Sequence, residues 1–412
     1  MNTPHAGWRY GLLGLPLAFA ALPLYVQLPH HYASEFGVPL AALGALLLGA
    51  RVLDAFIDPW IGRVTDRLFA RSPRRVLGFG ALAALALAAG FASLFFPPVR
   101  EPQALLAWAA LALAVTYAAY SALTVAHQSW GAMLGGDESQ RSRVFAWREG
   151  LGLAGVLLAS VLPSVAGWSW TCGVLAAALV AGCLAWRQSP RPQAQPVTDA
   201  SSLWAPFAHR GFRRLLAVFV ANGIATAVPA TLVLFFVQDR LQAPREMEPL
   251  FLGSYFACGA LAIPLWLKLV DRIGLARSWF AGMALSVLAF VGAAALGAGD
   301  TTAFVVVCAL SGFALGADLA LPSALLAGLV AQAGLRGRGE GRFFGWWNFA
   351  TKLNLALAAG LALPLLAWAG YTPGARNAQA LAALSFAYCL LPCALKLAAA
   401  ALLHAFLIRG AR

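Results

Sequence analysis

Charged residues are scarce in this sequence. Only 11% of the 412 residues are Asp, Glu, Lys or Arg, whereas 61% are hydrophobic and the mean hydropathy is +0.75. Soluble globular chains carry about 25% charged residues, so this composition excludes that class. Apolar stretches of about 20 residues, each long enough to cross roughly 30 Å of hydrocarbon, recur along the chain. The sequence therefore predicts an integral membrane protein.

Several motifs that carry chemistry are also missing. The chain has no Walker A lysine loop, no H-E-x-x-H, no G-x-S-x-G and no zinc-spaced Cys/His set. The six cysteines all fall in apolar stretches without C-x-x-C spacing, which favours small packing residues over metal ligands. The loops are too short for a soluble catalytic domain. We therefore expect neither an enzyme nor an ATP-driven pump, and no cofactor.

Twelve membrane spans are predicted, and the cations between them are segregated. Loops after odd-numbered spans hold only Arg100, Arg240, Arg245 and Arg376, whereas the loops after even spans 2 to 10 hold clusters of arginine. By the positive-inside rule, the even loops and both termini are cytoplasmic, in a bacterial-type inner membrane. This rule also accounts for the net charge of +13 without a nucleic acid partner. The spans are Tyr10–Leu28, Leu40–Ile61, Val76–Pro97, Gln103–Val125, Phe145–Ala166, Trp168–Trp186, Leu215–Val237, Leu250–Leu269, Trp279–Leu296, Ala303–Ala331, Phe344–Trp368 and Ala380–Leu407.

One long polar, proline-rich segment divides the chain into two halves. It covers residues 187–214 and reads as a cytoplasmic linker between a six-helix half at 1–186 and another at 215–412. Folds with two parallel six-helix repeats have this layout. The predicted fold class is an all-α membrane protein of twelve helices.

The second span carries a stripe of charge inside an apolar segment. At about 100° per residue, Arg51, Asp54 and Asp58 fall within roughly a 60° arc of one helix. Each such group costs about 2.5 to 3.5 kcal/mol at mid-bilayer, so a chain keeps it where it pairs, lines a wet cavity or binds an ion. Two carboxylates one turn apart supply hard oxygen ligands to a small cation or share a proton. The alternative is a static charge cluster that fixes span 2 to a neighbour.

Two similar segments follow spans 2 and 8. GRVTDRLFARSPRR contains Asp66-Arg67, and LKLVDRIGLARSW contains Asp271-Arg272, six spans later. The positive-inside rule explains the arginines but leaves the aspartates unexplained. We predict that each Asp-Arg pair forms a latch between helices of the same half.

These segments resemble the major facilitator superfamily, whose loop signature has the form G-x-x-x-D-R-x-x-x-R-R. Within it, ARVLDAFIDPWIGRVTDR is similar to the glycoside-pentoside-hexuronide:cation symporter family. YGLLGLPLAFAALPLYV, SWGAMLGGDESQRSRVFAWREG, GADLALPSALLAGLV and FFGWWNFATKL extend the resemblance over nearly the whole chain.

The resemblance implies roles for several residues. The family's two second-span carboxylates help bind the coupling Na+ or H+, and they match Asp54 and Asp58. Lys352 matches a lysine near that cation site and is expected to act with Arg51 as a charge partner, or else to extend towards the cytoplasmic surface. Arg141 and Arg148 match a cytoplasmic run of charge that forms an inner gate; the alternative is a solvated loop.

The chain departs from the sugar-transporting members at two positions. Acids that hold sugar hydroxyls correspond to Ala18 and Ala126, while Trp130 is retained as a stacking surface. Hydroxyl-rich ligands need convergent polar partners, so a less polar or amphipathic substrate is favoured.

Further polar residues inside spans are cavity candidates: His127, Asn222, Thr226, Tyr255, Asp318, Asn348 and Asn354. His127 is equally well explained as a satisfied core histidine, and a structural role is the alternative for Asp318. Lys396 in span 12 has no obvious acid nearby, and its side chain is expected either to extend towards the surface or to face the cavity.

Together these observations predict a monomeric secondary transporter. It would couple a cation to symport of a small organic solute, sugar-like or less polar, by alternating access across the bilayer. A lipid or lysolipid translocator of the same fold is the first alternative, favoured by the missing acids. A non-transporting membrane sensor is the second.

Overall fold

A computed structural model describes residues 7–193, 202–372 and 374–409, which are almost entirely helical and contain no strand. Gly167, with φ of 77°, interrupts α5 between predicted spans 5 and 6, a conformation that glycine adopts without a steric penalty. The helices are α1 (Gly7–Phe36), α2 (Leu40–Arg71), α3 (Pro73–Phe95), α4 (Pro102–Leu134), α5 (Glu138–Arg187), α6 (Ala205–Ala208), α7 (Arg210–Arg240), α8 (Arg245–Ile273), α9 (Leu275–Ala294), α10 (Thr301–Gln332), α11 (Glu340–Trp368) and α12 (Ala378–Ile408).

The helices correspond to the predicted spans. Within the described ranges, nine helices are long and apolar enough to cross a membrane. One of them, α5, contains two predicted spans, while α2 and α11 cover spans 2 and 11. Only α6, with four residues, has no predicted counterpart. The all-α membrane fold is confirmed.

Polar residues and prolines in the short loops define where helices begin. Ser72 accepts a hydrogen bond from the backbone N–H of Arg74, and Pro73 occupies the first turn of α3. Asp137 accepts from the N–H of Gln140 at the start of α5, and Asn377 caps α12 through the N–H of Ala380. Such caps satisfy amide donors that have no partner inside the helix.

The chain forms two compact units. Unit 1 contains Met1–Ala208 and Ala327–Phe349, and unit 2 contains His209–Leu326 and Ala350–Arg412. The first division lies within the predicted linker, of which residues 194–201 are outside the described ranges. The sequence division at 187–214 assigned the segment Ala327–Phe349 to the second half, whereas it packs in unit 1.

Unit 2 is organised around an aromatic core. The rings of Phe236 and Tyr388 stack with centroids 4.2 Å apart, and Phe304 lies 5.6 Å from Phe236. Phe251 contacts Phe304 edge to face. Because these rings come from α7, α8, α10 and α12, they fix four helices around one end of a cavity.

Candidate functional site

The two carboxylates of the second span are buried. Asp54 is 3% exposed and Asp58 0%, whereas the apolar side chains of Phe56 and Trp60 on the same helix are largely exposed. Ser121 on α4 donates its hydroxyl to Oδ1 of Asp54 at 2.7 Å. The polar stripe therefore faces protein, and the side of α2 that carries Phe56 and Trp60 is apolar and largely exposed, as the helical spacing predicts.

Arg51 lies at the other end of this stripe. Its Nη2 donates to the carbonyl oxygen of Tyr25 at 3.3 Å, and the guanidinium stands 4.8 Å from the centre of the Tyr25 ring. Both contacts are with α1. Its expected action as a charge partner of the carboxylates stays a prediction.

Lys352 is half-buried on α11 and belongs to unit 2. Asn354, two residues further along, is buried with its side-chain amide against Gly223 of α7. The proposed role of Lys352 beside the cation site stays a prediction.

The end of α2 packs against the start of α11. Asp66 accepts hydrogen bonds from the backbone N–H groups of Gly341 and Arg342, at 2.7 and 3.1 Å, and from Nε of Arg342 at 2.9 Å. Burial raises the pKa of Asp66 to about 6, and the Arg342 guanidinium with these donors opposes that rise. A Cβ added at Gly62 would lie 2.1 Å from the carbonyl oxygen of Gly341, so the two backbones touch.

These contacts correct the predicted latch. Asp66 was expected to join helices of the same half, but its partners lie 275 and 276 residues away in the second half of the sequence. The reason is that Gly62 and Gly341 have no side chains to hold the two segments apart. Asp271 and Arg272, the corresponding pair in the second half, are exposed at the end of α8, as is Arg67 beside Asp66.

A second buried carboxylate lies beside this contact. Glu340 accepts from the N–H groups of Gly337 and Gly339, at 2.7 and 3.2 Å. Burial raises its pKa to about 7, and the negative charge of Asp66 adds to the rise. Glu340 precedes the apolar part of α11. Because its pKa is raised to about 7, its protonation changes with pH near neutrality.

The two gate arginines have local partners. Arg148 forms an ion pair with its neighbour Glu149. Arg141 donates Nη1 to the carbonyl oxygen of Gly136 at 2.6 Å and lies against Gly328 of α10. Their action as a gate stays a prediction.

His127 and Trp130 lie inside the core of unit 1. The Tyr10 hydroxyl donates to the carbonyl oxygen of His127 at 3.0 Å, and Nε2 of His127 lies 2.8 Å from the Tyr10 carbonyl oxygen. The two rings stack 4.1 Å apart. Trp130 is fully buried and donates to the carbonyl oxygen of Pro190 at 3.0 Å. This arrangement favours the core explanation of His127 and leaves Trp130 no free face for stacking.

Asn348 has a partner that the sequence did not suggest. Its Nδ2 donates to Oε1 of Gln128 at 2.8 Å, within unit 1, and both side chains are buried.

Unit 2 contains a buried polar network around Asp318. Nζ of Lys396 lies 2.5 Å from Oδ2 of Asp318 and donates to Oδ1 of Asn222 at 2.9 Å and to the Thr226 hydroxyl at 3.1 Å. Oδ1 of Asp318 accepts from Nδ2 of Asn222 at 3.1 Å and from Nε1 of Trp279 at 2.8 Å. The expectation that Lys396 has no acid nearby is wrong, because α10 and α12 bring Asp318 beside it.

This network forms the polar end of a cavity of about 200 Å³ that is lined by residues of unit 2. Apolar and aromatic side chains make the rest of its wall, among them Phe251, Tyr255, Phe290 and Tyr388. The cavity thus combines an apolar body with a single charged end. Of the predicted cavity residues, Thr226, Tyr255 and Asp318 line it directly.

Sequence reasoning missed Ser121, Trp279 and Gln128 as partners of the charged and amide groups. Ser121 and Trp279 lie in predicted apolar spans and Gln128 lies just beyond span 4, and a lone serine, tryptophan or glutamine there gives no signal beyond its own polarity. Across the part of the chain that the structure describes, no group of three or more His, Cys, Asp or Glu residues could hold a metal ion. An ion at Asp54 and Asp58 would therefore need further oxygen ligands from hydroxyls, backbone carbonyls or water.

Comparisons with known proteins agree on the family. The model of the MFS/sugar transport protein family matches residues 9–410. An inner membrane symporter of Escherichia coli K12, YicJ, is 26% identical over 163 residues, which cover 38% of this chain and 33% of the relative. The match thus spans about a third of the length of that relative.

Solved structures share the fold. A bacterial homologue of the iron transporter ferroportin, in an outward-facing state, superposes with a TM-score of 0.75 at 17% identity, covering 98% of this chain and 99% of the other. A variant of the E. coli fucose:proton symporter FucP gives 0.64 at 15% identity, covering 94% and 96%. At these identities the likeness concerns the fold alone. With the family match over almost the full length, the chain belongs to the MFS/sugar transport protein family of the major facilitator superfamily and is a multi-pass membrane protein.

Proposed function

We propose that this transporter couples a monovalent cation to the movement of a small organic solute, with Asp54 and Asp58 as the cation site. The observation that carries the proposal is the burial of both carboxylates, one turn apart, on a membrane helix whose other face is apolar. Two buried carboxylates in such a place are costly unless a proton, a metal cation or a basic side chain compensates them.

Ser121 supports a role in ion binding. Its hydroxyl fixes one oxygen of Asp54 at 2.7 Å, which orients the carboxylate as a ligand. The oxygen of a hydroxyl group can also coordinate Na+. Binding of the cation would remove the repulsion between the two carboxylates, so the ion would bias the conformational equilibrium of the transporter.

The solute is proposed to be less polar than a free sugar. Ala18 and Ala126 occupy the positions of sugar-binding acids in the resembling family, and Ala126 is fully buried. YicJ is a symporter and FucP a fucose:proton symporter, which supports cation-coupled symport as the transport mode. The substrates of these two proteins are not assigned to this chain.

The proposal is tested by thermal unfolding of the purified protein, with and without Na+, between pH 6 and 8. We expect Na+ at a fixed pH, or protons beyond the contribution of Glu340, to stabilise the wild type, and we expect this effect to be absent from the Asp54→Asn, Asp58→Asn double variant. Asp300→Asn, an exposed aspartate in the α9–α10 loop, is the control and should respond as the wild type does. Equal ion responses in the wild type and the double variant would refute the proposed site. Stabilisation by lysolipids without ion dependence would favour the lipid translocator.

A further inference from the structure

The cavity in unit 2 differs chemically at its two ends. Its body is apolar and aromatic, and among the described residues that line it the only full charges are Asp318 and Lys396, which neutralise each other. The remaining titratable groups on this wall are the phenols of Tyr255 and Tyr388 and the thiol of Cys308, all neutral near pH 7 at their ordinary pKa values. Any charged ligand must therefore be compensated within the Asp318–Lys396 pair.

The hydrogen bonds of Asp318 are suited to a neutral carboxyl as well as to a carboxylate. Oδ1 accepts from two neutral donors, the Trp279 indole and the Asn222 amide. Oδ2 is the oxygen that Lys396 contacts. A proton on Oδ2 would leave the bonds to Oδ1 intact and would end the need for a counter-charge at that oxygen.

Lys396 keeps two of its bonds in that case. Its ammonium would still donate to the Asn222 side-chain oxygen and to the Thr226 hydroxyl, and its third N–H would turn towards the cavity. A buried ammonium that has lost its counter-ion is unfavourable, so binding of an anion beside Lys396 then becomes favourable.

We propose that this cavity binds a small organic monocarboxylate with an apolar body, whose carboxylate pairs with Lys396 while Oδ2 of Asp318 takes up one proton. The site is neutral before binding, with one carboxylate and one ammonium. It is neutral again with one proton and one organic anion added. Either species alone would leave a buried net charge, so the two bind together.

The size of the cavity limits the anion. An apolar cavity of about 150 Å³ in another protein binds benzene, and this one has about 200 Å³. An aryl ring with a single carboxylate, or a branched alkyl acid of similar volume, fits those dimensions. The proposal names the substrate class of the transporter and rests on the proposed transport function, but Asp54 and Asp58 are not among the residues that line this cavity.

The helices around the cavity have local breaks that allow such a rearrangement. Pro322 lies four residues after Asp318 and lacks the N–H that would otherwise bond the Asp318 carbonyl; Pro229 has the same relation to Ala225. In α12, the segment Phe386–Leu390 is a π-helical turn that carries Tyr388 on the cavity wall. Turns of this kind are frequent at functional sites.

The test uses the full-length purified protein and benzoate as the probe, in isothermal titration calorimetry. Titrations in buffers of different ionisation enthalpy measure the protons taken up. We expect about one proton per benzoate, and an apparent affinity that falls about tenfold for each pH unit between 7 and 8.5. Benzyl alcohol and benzylamine, which have the same ring without the negative charge, should bind at least tenfold more weakly.

Three variants separate the parts of the site. Asp318→Asn mimics the protonated acid and should bind benzoate with no proton uptake and no pH dependence. Asp318→Asn with Lys396→Met removes both charges together, which avoids leaving a buried charge unpaired, and should lose benzoate binding. Asp300→Asn, which lies outside both sites, should bind benzoate as the wild type does. The Na+ response of the Asp54→Asn, Asp58→Asn variant in thermal unfolding reports on the cation site separately, so failure of that site is distinguished from failure of this one.

Four results would overturn the proposal. Three of them are unchanged benzoate binding in the doubly neutral variant, binding without proton uptake in the wild type, and equal or tighter binding of benzylamine. The last would assign the cavity to an organic cation held by Asp318. Absence of benzoate binding to the wild type and to Asp318→Asn would also overturn it.

Discussion

Replacement of Gly62 by alanine tests the contact between α2 and α11 on a steric basis. The added Cβ would lie 2.1 Å from the carbonyl oxygen of Gly341, 2.7 Å from its carbonyl carbon and 3.1 Å from Cα of Arg342. All three are backbone atoms, so no side-chain rotation relieves the overlap. The two segments must separate by about 1 Å to reach an ordinary van der Waals distance.

That separation also affects Asp66. Its bonds to the N–H groups of Gly341 and Arg342 measure 2.7 and 3.1 Å, and an added separation of about 1 Å takes both to or beyond the limit for a hydrogen bond. Overpacking costs about 1 to 3 kcal/mol, and each lost hydrogen bond to a charged acceptor adds about 1.5 to 3 kcal/mol. We therefore expect Gly62→Ala to destabilise this packing by about 4 kcal/mol or more.

Gly44, on the same helix, is the matched control, since a Cβ there meets no atom within 4 Å. Alanine in an exposed helix interior gains about 1 kcal/mol over glycine, so Gly44→Ala should be neutral or stabilising. The assay is thermal unfolding, with hydrogen exchange of the peptide containing the Gly341 and Arg342 amides. We expect a lower Tm and faster exchange in Gly62→Ala alone. Equal effects of the two substitutions would refute the close contact.

Other predictions concern single contacts. Ser121→Ala removes the hydroxyl that orients Asp54 and should weaken cation binding about tenfold, measured by calorimetry; Ser121→Thr should retain it, and equal affinities in all three proteins would contradict the assignment. Tyr10→Phe removes one bond to His127 and should cost about 0.5 to 1.5 kcal/mol in chemical unfolding without altering the pH profile of transport; an altered profile would restore His127 as a proton carrier. Burial raises the pKa of Glu340 from about 4.5 to about 7, so the folded state holds this proton more tightly than the unfolded chain does. The contribution of Glu340 to the free energy of unfolding is present below pH 4.5 and is lost as the pH rises through 7. The Tm should therefore be higher at about pH 6 than at about pH 8, and Glu340→Gln should reduce that difference, whereas an unchanged difference would exclude Glu340 as its source.

The sequence was sufficient for features that depend on local periodicity. Span positions follow from runs of apolar residues, and the inward face of α2 follows from the helical spacing of Arg51, Asp54 and Asp58. Both spans inside α5 were predicted from their apolar residues, but the interruption of this helix at Gly167 was not.

Partners between distant helices could not be predicted. Asp318 and Lys396 are 78 residues apart, and Asp66 and Arg342 are 276 residues apart. Periodicity tells which face of a helix is polar but not which helix packs against it. A lysine in an apolar span therefore gave no indication of its acid, and two isolated glycines gave no indication that they meet.

The central claim is that Asp54 and Asp58 bind the coupling cation. Equilibrium binding of radioactive Na+ to the purified protein, repeated at pH 6 and pH 8, tests it most directly. The account predicts one saturable Na+ site, or, for a proton-coupled transporter, one proton bound by the wild type beyond those bound by the Asp54→Asn, Asp58→Asn variant. The Na+ site or the additional proton should be absent from that variant and present in Asp300→Asn. Cation binding of equal stoichiometry in the double variant and the wild type would contradict it.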